Sequence, residues 1–251
     1  MVAVRVENLE KDYGKVKALK GINFEIKESE IFGLIGPNGA GKSTTLKILA
    51  TLLKPTGGRA EVFEHDVVSK ADKVRKFISY LPEEAGAYKN LSGKEYLEFM
   101  AKLYAKGEKK AKEMLELGMK LSGLGKRLKD KVSTYSKGMT RKLLLARAVM
   151  VNPKLAILDE PTSGLDIVNA YEIRKTIRRF AREKGVTFLI SSHNMLEVEF
   201  LCDRVALIDM GRIVGIGTPK ELKEKYNAEN LEEVFMTVVG RKLEEMVGGA
   251  Y

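Results

Sequence analysis

Cysteine is almost absent from this sequence, since Cys202 is the only one in 251 residues. A single cysteine excludes an internal disulfide bond, and a chain without disulfides is typical of a reducing compartment. Cys202 follows Phe-Leu, where we expect it to be a small buried hydrophobic residue.

Long apolar runs are also missing. A membrane-spanning helix needs about 20 consecutive apolar residues, whereas the best candidate, residues 143–151, is short and contains Arg147. The start, Met-Val-Ala-Val-Arg-Val-Glu-Asn, carries charges where a signal peptide needs an apolar segment. We therefore expect a soluble, cytoplasmic chain whose role at a membrane would depend on a partner.

The positive charge is concentrated in one segment. Between Lys102 and Arg147 there are fourteen Lys or Arg against four acidic residues, a surplus as large as the net charge of +10 of the whole chain. A solvated helical surface explains this surplus, and so does a surface that faces anionic lipid or an acidic partner. Aromatic residues are not interleaved with these cations, so we expect no nucleic acid as a partner.

Strand and helix patterns alternate in two stretches of the chain. The first stretch has predicted strands near 2–6, 22–26, 30–35 and 77–81 and a helix over 42–53, which Lys-Pro-Thr-Gly-Gly ends. The second has predicted strands at 155–158, 187–191, 205–209 and 212–216, the last two as a hairpin, and a helix at 167–184. Such alternation predicts a largely parallel sheet with ligands at the carboxyl ends of its strands.

A helical segment separates the two stretches. Ser92 stands three residues before Glu95, which is the spacing of a capping box at a helix start. We predict a core formed by residues 1–83 and 152–222, a helical subdomain at about 84–151, and a short helical tail at 223–251.

The clearest motif is a phosphate-binding loop of the pattern GxxxxGK[ST]. It consists of Gly36, Pro37, Asn38, Gly39, Ala40, Gly41, Lys42 and Ser43, and we expect Thr44 to contribute to the same site. The glycines let backbone N–H groups converge on a phosphate at the start of a helix. Lys42 can reach the β- and γ-phosphates, and the Ser43 hydroxyl can bind Mg²⁺. The loop predicts a nucleoside triphosphatase or a kinase.

Two adjacent carboxylates follow the apolar run 155–158. We expect Asp159 to hold Mg²⁺, directly or through water, and Glu160 to polarise the water that attacks the phosphate. Paired acids at a strand end often form only a solvated turn, but their place after a phosphate loop and an apolar strand favours catalysis.

Further motifs occur in the order found in one family. Residues 134–139, Thr-Tyr-Ser-Lys-Gly-Met, resemble the signature of ATP-binding-cassette (ABC) transporter ATPases, which is usually Leu-Ser-Gly-Gly-Gln. Residues 163–166, Ser-Gly-Leu-Asp, resemble the D-loop of these proteins. His193 resembles their switch histidine, and Tyr13 resembles the aromatic residue that stacks on adenine. The resemblance covers essentially the whole chain.

This resemblance implies an α/β fold, with a RecA-like P-loop NTPase core, an antiparallel β subdomain and an inserted helical subdomain. It implies ATP and Mg²⁺ as cofactors and a catalytic set of Lys42, Glu160 and His193, in which the histidine donates a hydrogen bond to the terminal phosphate. It also implies that Ser136, Gly138 and Asp166 contact nucleotide across a dimer interface.

The chain departs from the family pattern at two places. The signature keeps Ser136 and Gly138, which form its anion-binding core, but loses one glycine and the terminal glutamine. Glu83 stands after Pro82 where the family commonly has glutamine. We expect Glu83 to ligate Mg²⁺ with an added charge and without the amide donor.

The resemblance implies that two copies complete each other's sites when ATP binds. The signature helix is expected to lie far from its own phosphate loop, so that a homodimer, or a pair with a related ATPase subunit, is required. Transmembrane permease subunits are the further partners implied, with the chain peripheral on the cytoplasmic face of the cell membrane.

Three functions are compatible with these features. The leading one is the ATPase subunit of a transporter whose membrane part is a separate chain. The ending, Gly-Thr-Pro-Lys-Glu-Leu at 217–222 and Leu-Glu-Glu-Val-Phe at 231–235, resembles members that serve exporters. The second is a soluble non-transport ABC ATPase, for example in cofactor assembly. The third is a nucleotide-gated regulatory module with little turnover, which the presence of both Glu160 and His193 disfavours.

Overall fold

Two β-sheets form the framework of the molecule. The structure is a computed structural model that describes residues 1–248, except for the side chains of Glu197 and of residues 241–248. Within these residues the larger sheet has six strands in the order β10-β9-β3-β8-β7-β6. Its strands are β3 (Ile31–Ile35), β6 (Ile78–Leu81), β7 (Leu155–Asp159), β8 (Thr187–Ser192), β9 (Arg204–Asp209) and β10 (Arg212–Gly217). The first five pair in parallel, and β10 pairs antiparallel with β9.

The central strands of this sheet are buried on both faces. Every residue of β3, β7 and β8 is buried, as expected for apolar runs without alternation. Because the strands are parallel, the residues that follow β3, β7 and β8 meet at one edge of the sheet.

The smaller sheet is antiparallel and has the order β2-β1-β4-β5. Its strands are β1 (Val2–Asp12), β2 (Lys17–Lys27), β4 (Gly57–Val62) and β5 (His65–Asp66). Inward-facing residues of this sheet, such as Val6, Leu19 and Val62, share a core with Phe32 and Leu34 of the larger sheet.

Nine α-helices lie among the described residues. They are α1 (Lys42–Leu49), α2 (Ala71–Val74), α3 (Gly93–Tyr104), α4 (Glu108–Ser122), α5 (Lys137–Met150), α6 (Ile167–Lys184), α7 (Met195–Leu201), α8 (Pro219–Tyr226) and α9 (Leu231–Gly248). Helices α3 to α5 form the inserted helical part, and α5 is buried along most of its length, between α3, α4 and the sheet. Over residues 1–248, no helix combines the length and the apolar character needed to cross a bilayer.

The predicted α/β fold with its antiparallel sheet and inserted helices is confirmed. The capping box at Ser92 and Glu95 is formed, and the helix 167–184 has the predicted bounds. The strands 205–209 and 212–216 form the predicted hairpin, whose turn residues Met210 and Gly211 both have positive φ.

Other boundaries were predicted wrongly. The helix expected over 42–53 ends at Leu49, because Thr51 already has a φ of 62°. Gly57 and Gly58 were predicted only to end this helix, but they begin β4. A Cβ on Gly58 would lie 2.0 Å from the Asn8 carbonyl oxygen. The boundary predicted after residue 222 falls inside α8, and residues 249–251 of the predicted tail lie outside the described residues.

Candidate ATP-binding and catalytic site

The phosphate-binding loop connects β3 to α1 at the centre of the larger sheet. Two of its glycines cannot be replaced by a residue with a side chain, one because of close packing and one because of its backbone conformation. A Cβ on Gly36 would lie 2.0 Å from the Ile208 carbonyl oxygen, and Gly41 has a φ of 111° at the position that precedes α1. The backbone of the loop therefore lies against β9, and the N-terminus of α1 points into the space that the loop encloses.

Lys42 is folded into its own loop. Its side chain is buried, and Nζ donates hydrogen bonds to the carbonyl oxygens of Gly36 at 2.7 Å and Pro37 at 3.2 Å. The same Nζ lies 3.6 Å from Oε1 of Glu160, with both side chains 6% exposed. The lysine is thus a buried cation that faces the Glu160 carboxylate.

Oxygen ligands suited to a divalent cation meet beside the loop. The Ser43 hydroxyl donates to Oδ1 of Asp159 at 3.2 Å, and the Ser191 hydroxyl donates to the same oxygen at 2.5 Å. Ser191 also accepts a hydrogen bond from the backbone N–H of Glu160 at 3.0 Å. Hydroxyl and carboxylate oxygens are the ligands that Mg²⁺ prefers, so Ser43 and Asp159 fit this ion.

Glu160 lies between two other predicted catalytic residues. Its Oε2 is 2.9 Å from Nδ1 of His193, and its Oε1 faces Lys42. Oε1 is buried and has no hydrogen-bond partner among the described residues. Glu160 has a φ of 47°, a left-handed conformation that is strained for a residue with a side chain. A buried carboxylate oxygen with a spare acceptor position fits the role of a general base.

A cavity of about 130 Å³ collects most of the predicted nucleotide-binding residues. It is lined by Ala18, Pro37, Asn38, Gly39, Gly41, Lys42, Ser43, Thr44, Glu83 and Glu160. Glu83 therefore faces the phosphate loop, as expected if it ligates Mg²⁺. Ala40 packs into the core below the loop instead.

The remaining candidates lie apart from this cavity. Ser136 is the N-cap of α5, where its hydroxyl accepts from the Met139 N–H, and it does not line the cavity of the phosphate loop. Gly138 packs on Asn169, because a Cβ there would lie 2.6 Å from the amide nitrogen of that side chain. Asp166 caps α6, and its hydrogen bonds from Asn169 lower the pKa of the Asp166 carboxyl. The signature and the D-loop of one chain are thus neighbours of each other.

The aromatic candidate, Tyr13, and the imidazole candidate, His193, are both exposed to solvent. Tyr13 follows β1, its side chain is 54% exposed, and Nζ of Lys11 lies 5.1 Å from its ring centre. His193 is half exposed and lines a second cavity of about 230 Å³ together with Glu160, Ser163 and Gly164. Glu160 lines both cavities and so connects the phosphate loop with the D-loop.

Three residues of the site were not predicted from the sequence. Ser191 is a fully buried polar residue near the end of strand β8, and a polar residue after an apolar run was an available signal. Tyr80 lies on β6, where burial, followed by the charge of Asp159, raises its pKa to about 12, so that the phenol stays protonated. Arg141 was counted with the surface cations of the basic segment, but it is only 8% exposed and donates a hydrogen bond to the Glu160 carbonyl.

The fold and the site define a P-loop ATPase with an inserted helical subdomain. The chain belongs to the ABC transporter family, whose profile matches residues 19–163. It is an ATP-binding subunit with ATP hydrolase activity. The chain is 38% identical over 237 residues to the linearmycin resistance ATP-binding protein LnrL of Bacillus subtilis, a match that spans 94% of this chain and 75% of the relative. It is also 38% identical over 233 residues to the daunorubicin/doxorubicin resistance ATP-binding protein DrrA of Streptomyces peucetius, spanning 91% and 69% of the two chains.

Solved structures agree with this assignment. An ATP-binding subunit of an ABC transporter superposes with a TM-score of 0.83 at 27% identity, over 94% of this chain and 99% of the other. A dimeric ATP-binding cassette in a post-hydrolysis state with ADP and Pi superposes with a TM-score of 0.77 at 25% identity, over 86% and 98% of the two chains. ABC ATP-binding subunits associate with transmembrane subunits and dimerise.

Proposed function

We propose that ATP binds in the cavity of the phosphate loop and that Glu160 is the base of its hydrolysis. The observation that carries this assignment is the position of Glu160 between Lys42 and His193, with one buried oxygen free to accept a proton. Lys42 and the loop N–H groups neutralise the β- and γ-phosphates. Ser43, Asp159 and Glu83 hold Mg²⁺, which would offset phosphate charge when it is bound.

Hydrolysis of the γ-phosphate takes place in one step. Glu160 Oε1 takes a proton from water as the water oxygen bonds to the γ-phosphorus, and the bond from that phosphorus to the bridging oxygen of ADP breaks. His193, held at 2.9 Å by Glu160, donates a hydrogen bond to the terminal phosphate and so senses its presence. Tyr13 presents an open ring face on which adenine can stack.

We infer that the working unit is a head-to-tail dimer. Ser136 and Gly138 do not line the cavity of their own phosphate loop, and the start of α5 is an N-terminal helix end suited to an anion. A second copy related by a two-fold axis would bring this helix end to the terminal phosphate. The solved dimer of a similar cassette supports this arrangement.

Mixing two inactive variants tests the dimer. Lys42→Ala removes phosphate binding, and Ser136→Arg blocks the signature, but a mixed dimer keeps one intact composite site. If the sites act independently, an equal mixture should recover about a quarter of the normal ATPase rate, because half of the dimers are mixed and each has one site. Activity that stays at the level of the separate variants would contradict a composite site with independent halves.

We propose further that the chain drives export through a separate transmembrane subunit, on the cytoplasmic face of the cell membrane. Two relatives are named for resistance to linearmycin and to daunorubicin/doxorubicin, and resistance is the outcome expected of an exporter. Non-transport ABC ATPases, such as cofactor-assembly proteins, are not favoured by these relatives.

A groove of about 700 Å³ between the sheet edge and the helical part is the surface proposed for this partner. Ser79 and Arg147 line it, and their Oγ and Nε atoms are buried without a hydrogen-bond partner among the described residues. Leu52 and Tyr104 on its rim are more than half exposed. Exposed apolar side chains at a groove are what a docked segment of the transmembrane subunit would cover.

Purification from membranes tests the partner. The chain, carrying an affinity tag at its N-terminus, would be isolated in mild detergent from the cells that produce it, and the co-purifying proteins identified by mass spectrometry. A polytopic membrane protein should be recovered with the unaltered chain and lost with Ser79→Arg, which fills the groove. Recovery that is equal with both chains would show that the groove is not the docking surface.

A further inference from the structure

Arg141 binds two backbone segments of the proposed site, residues 159–161, here called the catalytic turn, and residues 82–83, here called the Glu83 loop. Its Nε donates to the Pro161 carbonyl at 3.0 Å, and Nη2 donates to the carbonyls of Asp159 and Glu160 at 2.7 and 2.8 Å. Its Nη1 donates to the carbonyls of Pro82 and Glu83, both at 3.0 Å. A guanidinium has five N–H donors, so each of them is used, and every acceptor is a main-chain oxygen.

Burial of this arginine shows that its role is not that of a surface cation. Burial lowers the pKa of Arg141, while the nearby carboxylates of Asp159, Glu83 and Glu160 oppose the shift. Buried arginines are rare unless all of their donors are satisfied, which the five carbonyls accomplish. The planar fork is suited to joining several fixed acceptors, whereas a lysine has only three donors on a flexible stem.

The acceptors surround the strained residue of the site. Glu160 has a φ of 47°, and the carbonyls of Asp159, Glu160 and Pro161 all bind the same guanidinium. A residue in this region of φ and ψ keeps its conformation only where its surroundings enforce it. Arg141 therefore holds the turn that aims the Glu160 carboxylate at Lys42 and His193.

Arg141 also belongs to the helix that carries the signature. It lies five residues after Ser136, the N-cap of α5, and the rise between the two is about 7.5 Å. Because α5 is a buried, rigid helix, a shift of its N-terminus moves the guanidinium with it. The catalytic turn and the Glu83 loop, which both bind that guanidinium, would follow.

We propose that Arg141 is a positioning residue through which helix α5 sets the geometry of the catalytic turn and of the Glu83 loop. Contact of the α5 N-terminus with nucleotide on a second copy is thereby linked to the base and the metal ligand of the same chain. The link is mechanical, because it consists of hydrogen bonds from Arg141 to the main-chain carbonyls of residues 82–83 and 159–161 and involves no proton transfer. This inference rests on the proposed roles of Glu160 and Glu83.

Two substitutions at Arg141 test the proposal, with Lys142→Gln as the matched control on the same helix. Arg141→Lys can serve at most three of the five carbonyls, and Arg141→Gln has only two N–H donors. A misplacement of the base by about 1 Å lowers the rate by roughly 100-fold, so we expect kcat to fall by about 10- to 100-fold. We expect the Kd of a fluorescent ATP analogue, measured without turnover, to change by less than about 3-fold.

Two further readouts separate positioning from simple loss of stability. The Mg²⁺ concentration for half-maximal hydrolysis should rise in both Arg141 variants, because the Glu83 loop loses its anchor, and Arg141→Lys should retain more activity than Arg141→Gln. A kcat within twofold of the control, at equal melting temperature, would overturn the proposal. Glu160→Gln is measured in parallel: turnover that survives this change refutes the proposed base itself, whereas stalled turnover with active Arg141 variants refutes only the positioning role.

A measurement on a chain that keeps Arg141 covers the case in which both variants fail to fold. The Nε atom of Arg147 is also buried, so an Arg147→Lys chain is measured beside the unaltered one, and the protected resonance that both chains give belongs to Arg141. With ¹⁵N-labelled arginine, its Nε–H should give a resonance protected from exchange with water, and this resonance should shift when a non-hydrolysable ATP analogue and Mg²⁺ are added. A protected resonance that does not move on addition, or no protected resonance, would overturn the link.

Discussion

Replacing Glu160 by glutamine separates ATP binding from ATP hydrolysis. The amide has nearly the same shape as the carboxylate and can keep the contact with His193 at 2.9 Å, but it cannot accept a proton from water. General-base catalysis contributes roughly 10²- to 10⁴-fold, so phosphate release should fall by that factor. The loss should appear in kcat, because the base acts on the attacking water and not on the bound nucleotide.

Nucleotide binding should not be weakened by this substitution. Lys42 and Glu160 are 3.6 Å apart with side chains only 6% exposed, and at an effective dielectric constant of 20 their attraction is about 5 kcal/mol. The substitution removes this attraction and leaves Lys42 more available to phosphate oxygens. We therefore expect ATP affinity to stay the same or to increase.

Size-exclusion chromatography and a phosphate-release assay measure both effects. With ATP and Mg²⁺ the Glu160→Gln chain should elute as a dimer, because ATP that is not consumed keeps the two copies together. Glu84→Gln removes an exposed carboxylate next to Glu83 and serves as the control, with hydrolysis and elution like those of the unaltered chain. A Glu160→Gln chain that hydrolyses ATP within a few-fold of the normal rate, or stays monomeric with ATP, would refute the reasoning.

Three further substitutions test other parts of the site and the fold. Glu83→Ala should raise the Mg²⁺ concentration needed for half-maximal ATP hydrolysis, and an unchanged Mg²⁺ dependence would show that Glu83 is not a ligand. Tyr13→Ala should weaken ATP binding by about 1 kcal/mol, or roughly fivefold in Kd, through the loss of stacking; equal Kd values would remove Tyr13 from the site. Ser92→Ala should lower the free energy of unfolding by about 1 kcal/mol, because α3 loses its N-cap. Chemical denaturation measures that loss, and ATPase activity should persist.

Local sequence rules predicted those parts of the molecule that local interactions determine. The capping box of Ser92 and Glu95 needs only four consecutive residues. Helix α6 begins after its N-cap Asp166 and ends before its C-cap Gly185, which has a φ of 63°. The phosphate loop was recognised in the same way, from the local spacing of its glycines, Lys42 and Ser43. These elements could be located without knowledge of the rest of the chain.

Long-range contacts determine the parts that the sequence did not predict. Strand β4 begins at two glycines that read as a helix terminator, and only the approach of the Asn8 backbone shows why a side chain is excluded there. Arg141 has the same problem, because its acceptors lie 18 to 59 residues away along the chain. A carbonyl has no sequence signature, so a cation that binds only carbonyls cannot be distinguished from a solvated one by composition.

The N-cap of α5 has a consequence for how two copies meet. Ser136 accepts the Met139 N–H, and a hydroxyl that accepts from the backbone still has its own hydrogen to donate. The bond to the Met139 N–H holds the Ser136 side chain in place in the isolated chain and leaves its hydrogen available to a phosphate oxygen. An encounter with a nucleotide-loaded neighbour then needs little rearrangement of this side chain, so less conformational entropy is lost at Ser136 when the two copies meet.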